Sequence, residues 1–121
     1  MGEYTREESE EALQIVASTI VRCEKAQSKF AEGTSQHTLL SNRIKALYIS
    51  KSLLIDDQDE VKYSKEELEN ALNPVSSIIS KCEKAQLKFT DNSSHYNRFK
   101  NIIKAMYISK SLITDEISKR G

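Results

Sequence analysis

Proline and glycine are nearly missing from this chain, with one Pro and three Gly among 121 residues. So few breakers, with 38% hydrophobic and 30% charged residues, exclude a disordered chain and point to a soluble helical protein. Two cysteines, Cys23 and Cys82, are too few for a disulfide framework or a zinc site and read as core thiols. No apolar run approaches the roughly 18 residues of a membrane span, which excludes a spanning helix. The acidic start Met1-Gly2-Glu3-Tyr4 is unlike a signal peptide, so a cytoplasmic protein is expected. A formal net charge of zero excludes a general nucleic-acid binder, which needs a basic surface.

Catalytic and metal motifs are missing as well. His37 and His95 are the only histidines, and they sit one residue out of register at loop-to-helix starts. The acidic cluster Asp56, Asp57, Asp59 and Glu60 lacks the glycine and spacing of a calcium loop. The Glu-x-x-His motif of dimetal helical bundles is not there, nor is a glycine-rich phosphate loop. Neither an enzyme nor a cofactor or metal site is expected.

What the chain does have, it has twice. Residues 4–56 align without a gap on residues 63–115, with 28 of the 53 positions identical. Cys23-Glu24-Lys25-Ala26-Gln27 recurs as Cys82-Glu83-Lys84-Ala85-Gln86, and Tyr48-Ile49-Ser50-Lys51-Ser52-Leu53 as Tyr107-Ile108-Ser109-Lys110-Ser111-Leu112. A unit of about 60 residues is marginal for a core of its own, so both copies are expected to share one domain spanning 1–121.

In the first copy Leu13, Val16, Ile20, Cys23, Gln27 and Phe30 step by three and four, the seam of a helix packed on another helix. Thr5 with Glu8, and Ser64 with Glu67, form capping boxes at the two starts. Gly33 and Asn92 suit the left-handed residue that ends a helix, and Ser35 and Ser94 can cap the return. The return seam is Asn42, Ala46, Ile49 and Leu53, copied as Asn101, Ala105, Ile108 and Leu112. Each copy is therefore a helical hairpin, with Gln27 set opposite Asn42 and Cys23 opposite Ala46.

A second apolar row runs along each return helix: Leu40, Ile44, Leu47 and Leu54, then Phe99, Ile103, Met106 and Ile113. One hairpin cannot bury both rows. The expected fold is an all-α, up-down-up-down four-helix bundle of two tandem, pseudo-twofold-related hairpins, joined through Asp57 to Tyr63, with both tips at one end. Pro74 stands where the first copy has Ile15, which predicts a kink or a restart with Asn73 as cap. The end from Ile117 to Gly121 is expected to fray.

Charge is segregated. Residues 22–52 sum to +4 and residues 81–111 to +5, so the rest of the chain carries −9. The helix macrodipole accounts for this first, with acids at starts and bases at ends; an anion site on the basic half is the alternative account. The candidate ligand-binding residues are Lys25, Gln27, Asn42, Lys45 and Tyr48, with their copies Lys84, Gln86, Asn101, Lys104 and Tyr107. The four amides either bond one another and set the register or line a polar pocket, with the Lys45, Lys104, Tyr48 and Tyr107 side chains at its rim.

The stretch from Thr34 to Tyr48, with Ala46-Leu47-Tyr48 and its copy Ala105-Met106-Tyr107, resembles the helical hairpin of phage proteins that sequester cyclic-nucleotide immune signals. The likeness covers about 15 residues per repeat. It departs from that family in carrying Arg43 and Lys45 where acids are usual there, and in lacking a Tyr-His-x-Pro segment, so the ligand does not carry over. The chain is also similar to short uncharacterised single-hairpin proteins of Gram-positive bacteria and their mobile elements. The resemblance implies a viral or mobile-element protein that holds an anionic nucleotide-like signal and so antagonises host immune signalling. The alternative is an interaction module that binds a partner helix, or itself, through the second apolar faces of its return helices.

Overall fold

The computed structural model describes residues 4–55 and 63–120 and consists of four helices: α1 (Arg6–Gln27), α2 (Ser35–Leu54), α3 (Lys65–Gln86) and α4 (Ser94–Arg120). The fold is an all-α four-helix bundle of two tandem hairpins, α1 with α2 and α3 with α4. The acidic cluster 56–60 and most of the predicted connection lie outside the described residues.

Local chemistry accounts for the helix starts. Thr5 accepts a hydrogen bond from the Glu8 N–H while Glu8 accepts one from the Thr5 N–H, each at 3.0 Å, and Ser64 with Glu67 repeats the box. The return helices are capped one residue earlier than expected. Thr34 accepts from the His37 N–H and Ser93 from the Tyr96 N–H, because these side chains, not Ser35 and Ser94, stand just before the first helical residue. Gly33 (φ 91°) and Asn92 (φ 70°) do adopt the left-handed conformation, but in the turn that enters the return helix, several residues after α1 and α3 have ended.

Two further expectations are corrected. α3 runs as one helix through Pro74, flanked by the buried Ala71 and Val75, so the restart with Asn73 as cap does not occur. The far end of α4 stays helical to Arg120, with Ile117 packed against the core and Glu116 bridging to Lys119 and Arg120.

The seam residues Val16, Ile20, Ala46 and Ile49 are buried between α1 and α2, as are Val75, Ile79, Ala105 and Ile108 between α3 and α4. The second rows supply the contact between hairpins. Leu47 and Leu54 on α2, and Met106 and Ile113 on α4, are buried, as are Ser50 and Ser109 beside those rows. Each serine hydroxyl bonds back to the carbonyl four residues earlier, at 2.9 Å, so it needs no partner across the interface. α2 touches α4 directly, whereas α1 and α3 have no backbone approach. The return helices therefore form the central pair, and only Leu40, Ile44, Phe99 and Ile103 of the second rows remain half-buried.

The second hairpin does not lie level with the first. Lys45, ten residues from the tip-side end of α2, pairs with Glu67, 19 residues from the tip-side end of α3, at 3.8 Å. Lys104 and Glu8 repeat the relation with the hairpins exchanged, at 3.6 Å. If both tips pointed the same way, the first pair would set the second tip about 13 Å beyond the first, and the second pair would require the reverse. The hairpins therefore cross rather than lie level, and the tip-side half of each return helix meets the opening half of the other hairpin.

Candidate functional site

Crossing the hairpins opens two clefts related by the internal twofold. The larger, about 430 Å³, lies between α2 and α3 and is lined by Asn42, Lys45, Asn70, Asn73, Pro74 and Ser77, among others. The smaller, about 210 Å³, lies between α1 and α4, where Glu8, Glu11, Gln14, Ile15, Asn101 and Lys104 stand. Only the larger falls in the range that holds small molecules, roughly 300–1,000 Å³.

Of the candidate residues, Asn42 joins Lys45 in the larger cleft, and Asn101 joins Lys104 in the smaller. The others go elsewhere. Gln27 does not meet Asn42; its amide donates to the His37 carbonyl and to the Ser41 hydroxyl, stapling the hairpin tip, and Gln86 donates to the Tyr96 carbonyl. Both asparagines are exposed, since they face the neighbouring hairpin rather than their own outgoing helix. Lys25 and Lys84 lie on exposed outer faces. Tyr48 and Tyr107 are 44% and 49% exposed, more open than half-buried packing would leave them. Tyr48 donates its hydroxyl to Glu24 at 3.1 Å, and Lys51 sits 5.9 Å from its ring centre.

Each lysine in a cleft meets the glutamate that closes a capping box on the other hairpin. Glu67 is held below the usual carboxylate range, first by the Ser64 N–H, with Lys45 adding to it and desolvation opposing. Glu8 is lowered in the same way by the Thr5 N–H and then Lys104. Both pairs are solvent-exposed, which keeps their net contribution small.

The two clefts differ at positions where the repeats diverge. Arg43 stands where the second copy has Ile102, and is as buried as that isoleucine, at 8% exposed against 7%. Its Nη2 donates to the Ser77 hydroxyl at 2.9 Å, at the edge of the larger cleft, and its Nε has no partner. No carboxylate pairs with it among the described residues. Asn70, in turn, replaces Glu11. Counting Arg43, the larger cleft carries Arg43 and Lys45 against Glu67, a net +1; the smaller carries Lys104 against Glu8 and Glu11, a net −1.

Behind Arg43 the basic field continues. Cys23 and Cys82 both feel Arg22, Arg43 and Lys81, yet burial dominates and pushes both thiols up, which leaves them protonated and poor nucleophiles. Arg22 is lowered by burial and by Arg98 nearby. Arg43 and Asn70 fall where the repeats differ, at Ile102 and Glu11, whereas Ser77 matches Ser18 of the first copy and carries no signal in the sequence. Subtracting one repeat from the other was the signal that exposes Arg43 and Asn70. No known protein family matches the chain, and neither a curated protein nor a solved structure matches it.

Proposed function

We propose that the protein binds a small anionic, nucleotide-like molecule in the cleft between α2 and α3 and holds it without converting it. The observation that carries this is Arg43, a guanidinium buried without a carboxylate beside a cleft of ligand size. An uncompensated buried charge costs several kcal/mol, and an anion at Ser77 would offset that cost. Asn42, Asn70 and Asn73 supply amides able to meet the polar edges of a heterocycle, while Lys45 adds a second cation that an anionic ligand can share with Glu67. Holding rather than converting fits the raised thiols and the exposed, singly placed histidine of the second copy. With the resemblance noted above, this reading extends to a viral or mobile-element protein that sequesters a host signal.

Thermal unfolding of the intact chain against mono-, di- and cyclic nucleotides tests it. A ligand at about 100 times its dissociation constant adds roughly 2.7 kcal/mol, a shift of several degrees. The shift should vanish in Arg43→Ile, which installs the residue of the other copy, and survive in Lys104→Gln. Equal shifts in Arg43→Ile and the parent would refute the site.

A further inference from the structure

Resting on the anion site just described, we infer that the larger cleft also recognises an N–H donor on its ligand, through the main-chain carbonyl of Asn70. In an α-helix that carbonyl accepts from the N–H four residues on, and here the residue four on is Pro74, which has none. α3 continues through Pro74, whose ring crowds the Asn70 carbonyl and tilts it outward as it loses its helical partner. Asn70 and Pro74 both line the cleft. Asn70 is exposed, so water meets this acceptor in the free protein and a ligand N–H would take that water's place.

The smaller cleft has no such acceptor. There Glu11 and Ile15 occupy the equivalent places, and the Ile15 N–H closes the ordinary helical bond. Two of the divergences that distinguish the clefts, Ile102 to Arg43 and Ile15 to Pro74, thus fall on the same one: the first adds a donor cation, the second frees an acceptor. Ser77 lies seven residues from Asn70, two turns or about 10 Å along α3. The cleft is therefore built for one molecule per chain, with an anionic group at the Arg43 and Ser77 end and an N–H donor about 10 Å away. A phosphorylated, amine-bearing heterocycle has that shape; inorganic phosphate does not.

Calorimetric titration of the full chain with three probes separates the two claims: inorganic phosphate, adenosine 5′-monophosphate, and purine riboside 5′-monophosphate, which lacks the exocyclic amine. The parent should prefer the amine-bearing nucleotide about tenfold, the value of one good hydrogen bond, and bind phosphate most weakly. Pro74→Ile, the residue of the other copy, and Pro74→Ala restore the N–H and should reduce that preference to about twofold or less while the desamino nucleotide binds as before. Arg43→Ile should weaken both nucleotides about tenfold or more and leave their ratio intact. A preference that persists in both Pro74 variants, with circular dichroism confirming their fold, overturns the carbonyl and leaves the Arg43 site standing. Unchanged affinity in Arg43→Ile, or no binding of either nucleotide by the parent, overturns the anion site itself.

Discussion

Arg43 on α2 reaches across the hairpin interface to donate to Ser77 on α3 at 2.9 Å, while its counterpart Ile102 is buried in the same place with no such bond to make. One side of a near-symmetric bundle thus buries a charge where the other buries a methyl-rich side chain. The asymmetry has measurable consequences.

Arg43→Ile should stabilise the isolated chain, because replacing a buried charge by a packed hydrophobe is commonly favourable by about 1–4 kcal/mol. Ser77→Ala should do the opposite, stranding the guanidinium at a cost of about 1–3 kcal/mol. Urea unfolding of both variants checks this; a destabilised Arg43→Ile would mean that the guanidinium is satisfied in the free protein.

Leu47 is fully buried between the return helices, whereas Leu39 on the same helix is 47% exposed. Leu47→Ala should cost about 2–5 kcal/mol and Leu39→Ala less than about 1. Ser50→Leu should also destabilise, by about 1–3 kcal/mol, through overpacking where α2 and α4 approach. Thermal denaturation midpoints rank the three.

Acid should weaken the protein slightly through its capping boxes. Glu8 and Glu67 have folded pKa values below their unfolded ones, so their contribution is fully present above the ordinary carboxylate range and is lost as pH falls through the lowered folded values. The melting temperature should hold between about pH 7 and 5.5 and fall below that range; the double variant Glu8→Gln, Glu67→Gln should have a flatter acid limb.

Both thiols should react slowly with a disulfide reagent at neutral pH, Cys82 more slowly than the half-buried Cys23, and both should speed up above the ordinary thiol range. Rapid labelling at pH 7 would contradict the burial that raises them. Timed labelling followed by mass spectrometry separates the two sites.

Much of the fold was legible because it is local. Thr5 and Glu8 find each other within one turn, and the spacing from Val16 to Ile20 and from Ala46 to Ile49 places those residues on one stripe whatever the rest of the chain does. Apart from the return-helix caps, which fall one residue earlier at Thr34 and Ser93, and the turn positions of Gly33 and Asn92, the misplaced features are those in which a distant group competes. Asn42 satisfies the seam period, yet it faces α3, while Gln27 finds nearer partners in the His37 carbonyl and Ser41. Pro74 is a breaker by propensity, but buried neighbours on both sides outweigh one lost hydrogen bond.

The order of residues by itself determined four helices, their caps and their pairing into two hairpins, since each of these depends on neighbours within a few turns. How the hairpins cross was decided only in three dimensions, by the packing of the buried Leu47, Ser50 and Leu54 with Met106, Ser109 and Ile113, and the exposed pairs Lys45 with Glu67 and Lys104 with Glu8 follow from it. That crossing brings Arg43 to Ser77 and Asn42 to Pro74, residues more than 30 positions apart, and so makes one cleft cationic and its twin anionic. Periodicity sets which face of a helix is apolar; only the shapes of the side chains on two helices set the angle at which those faces meet.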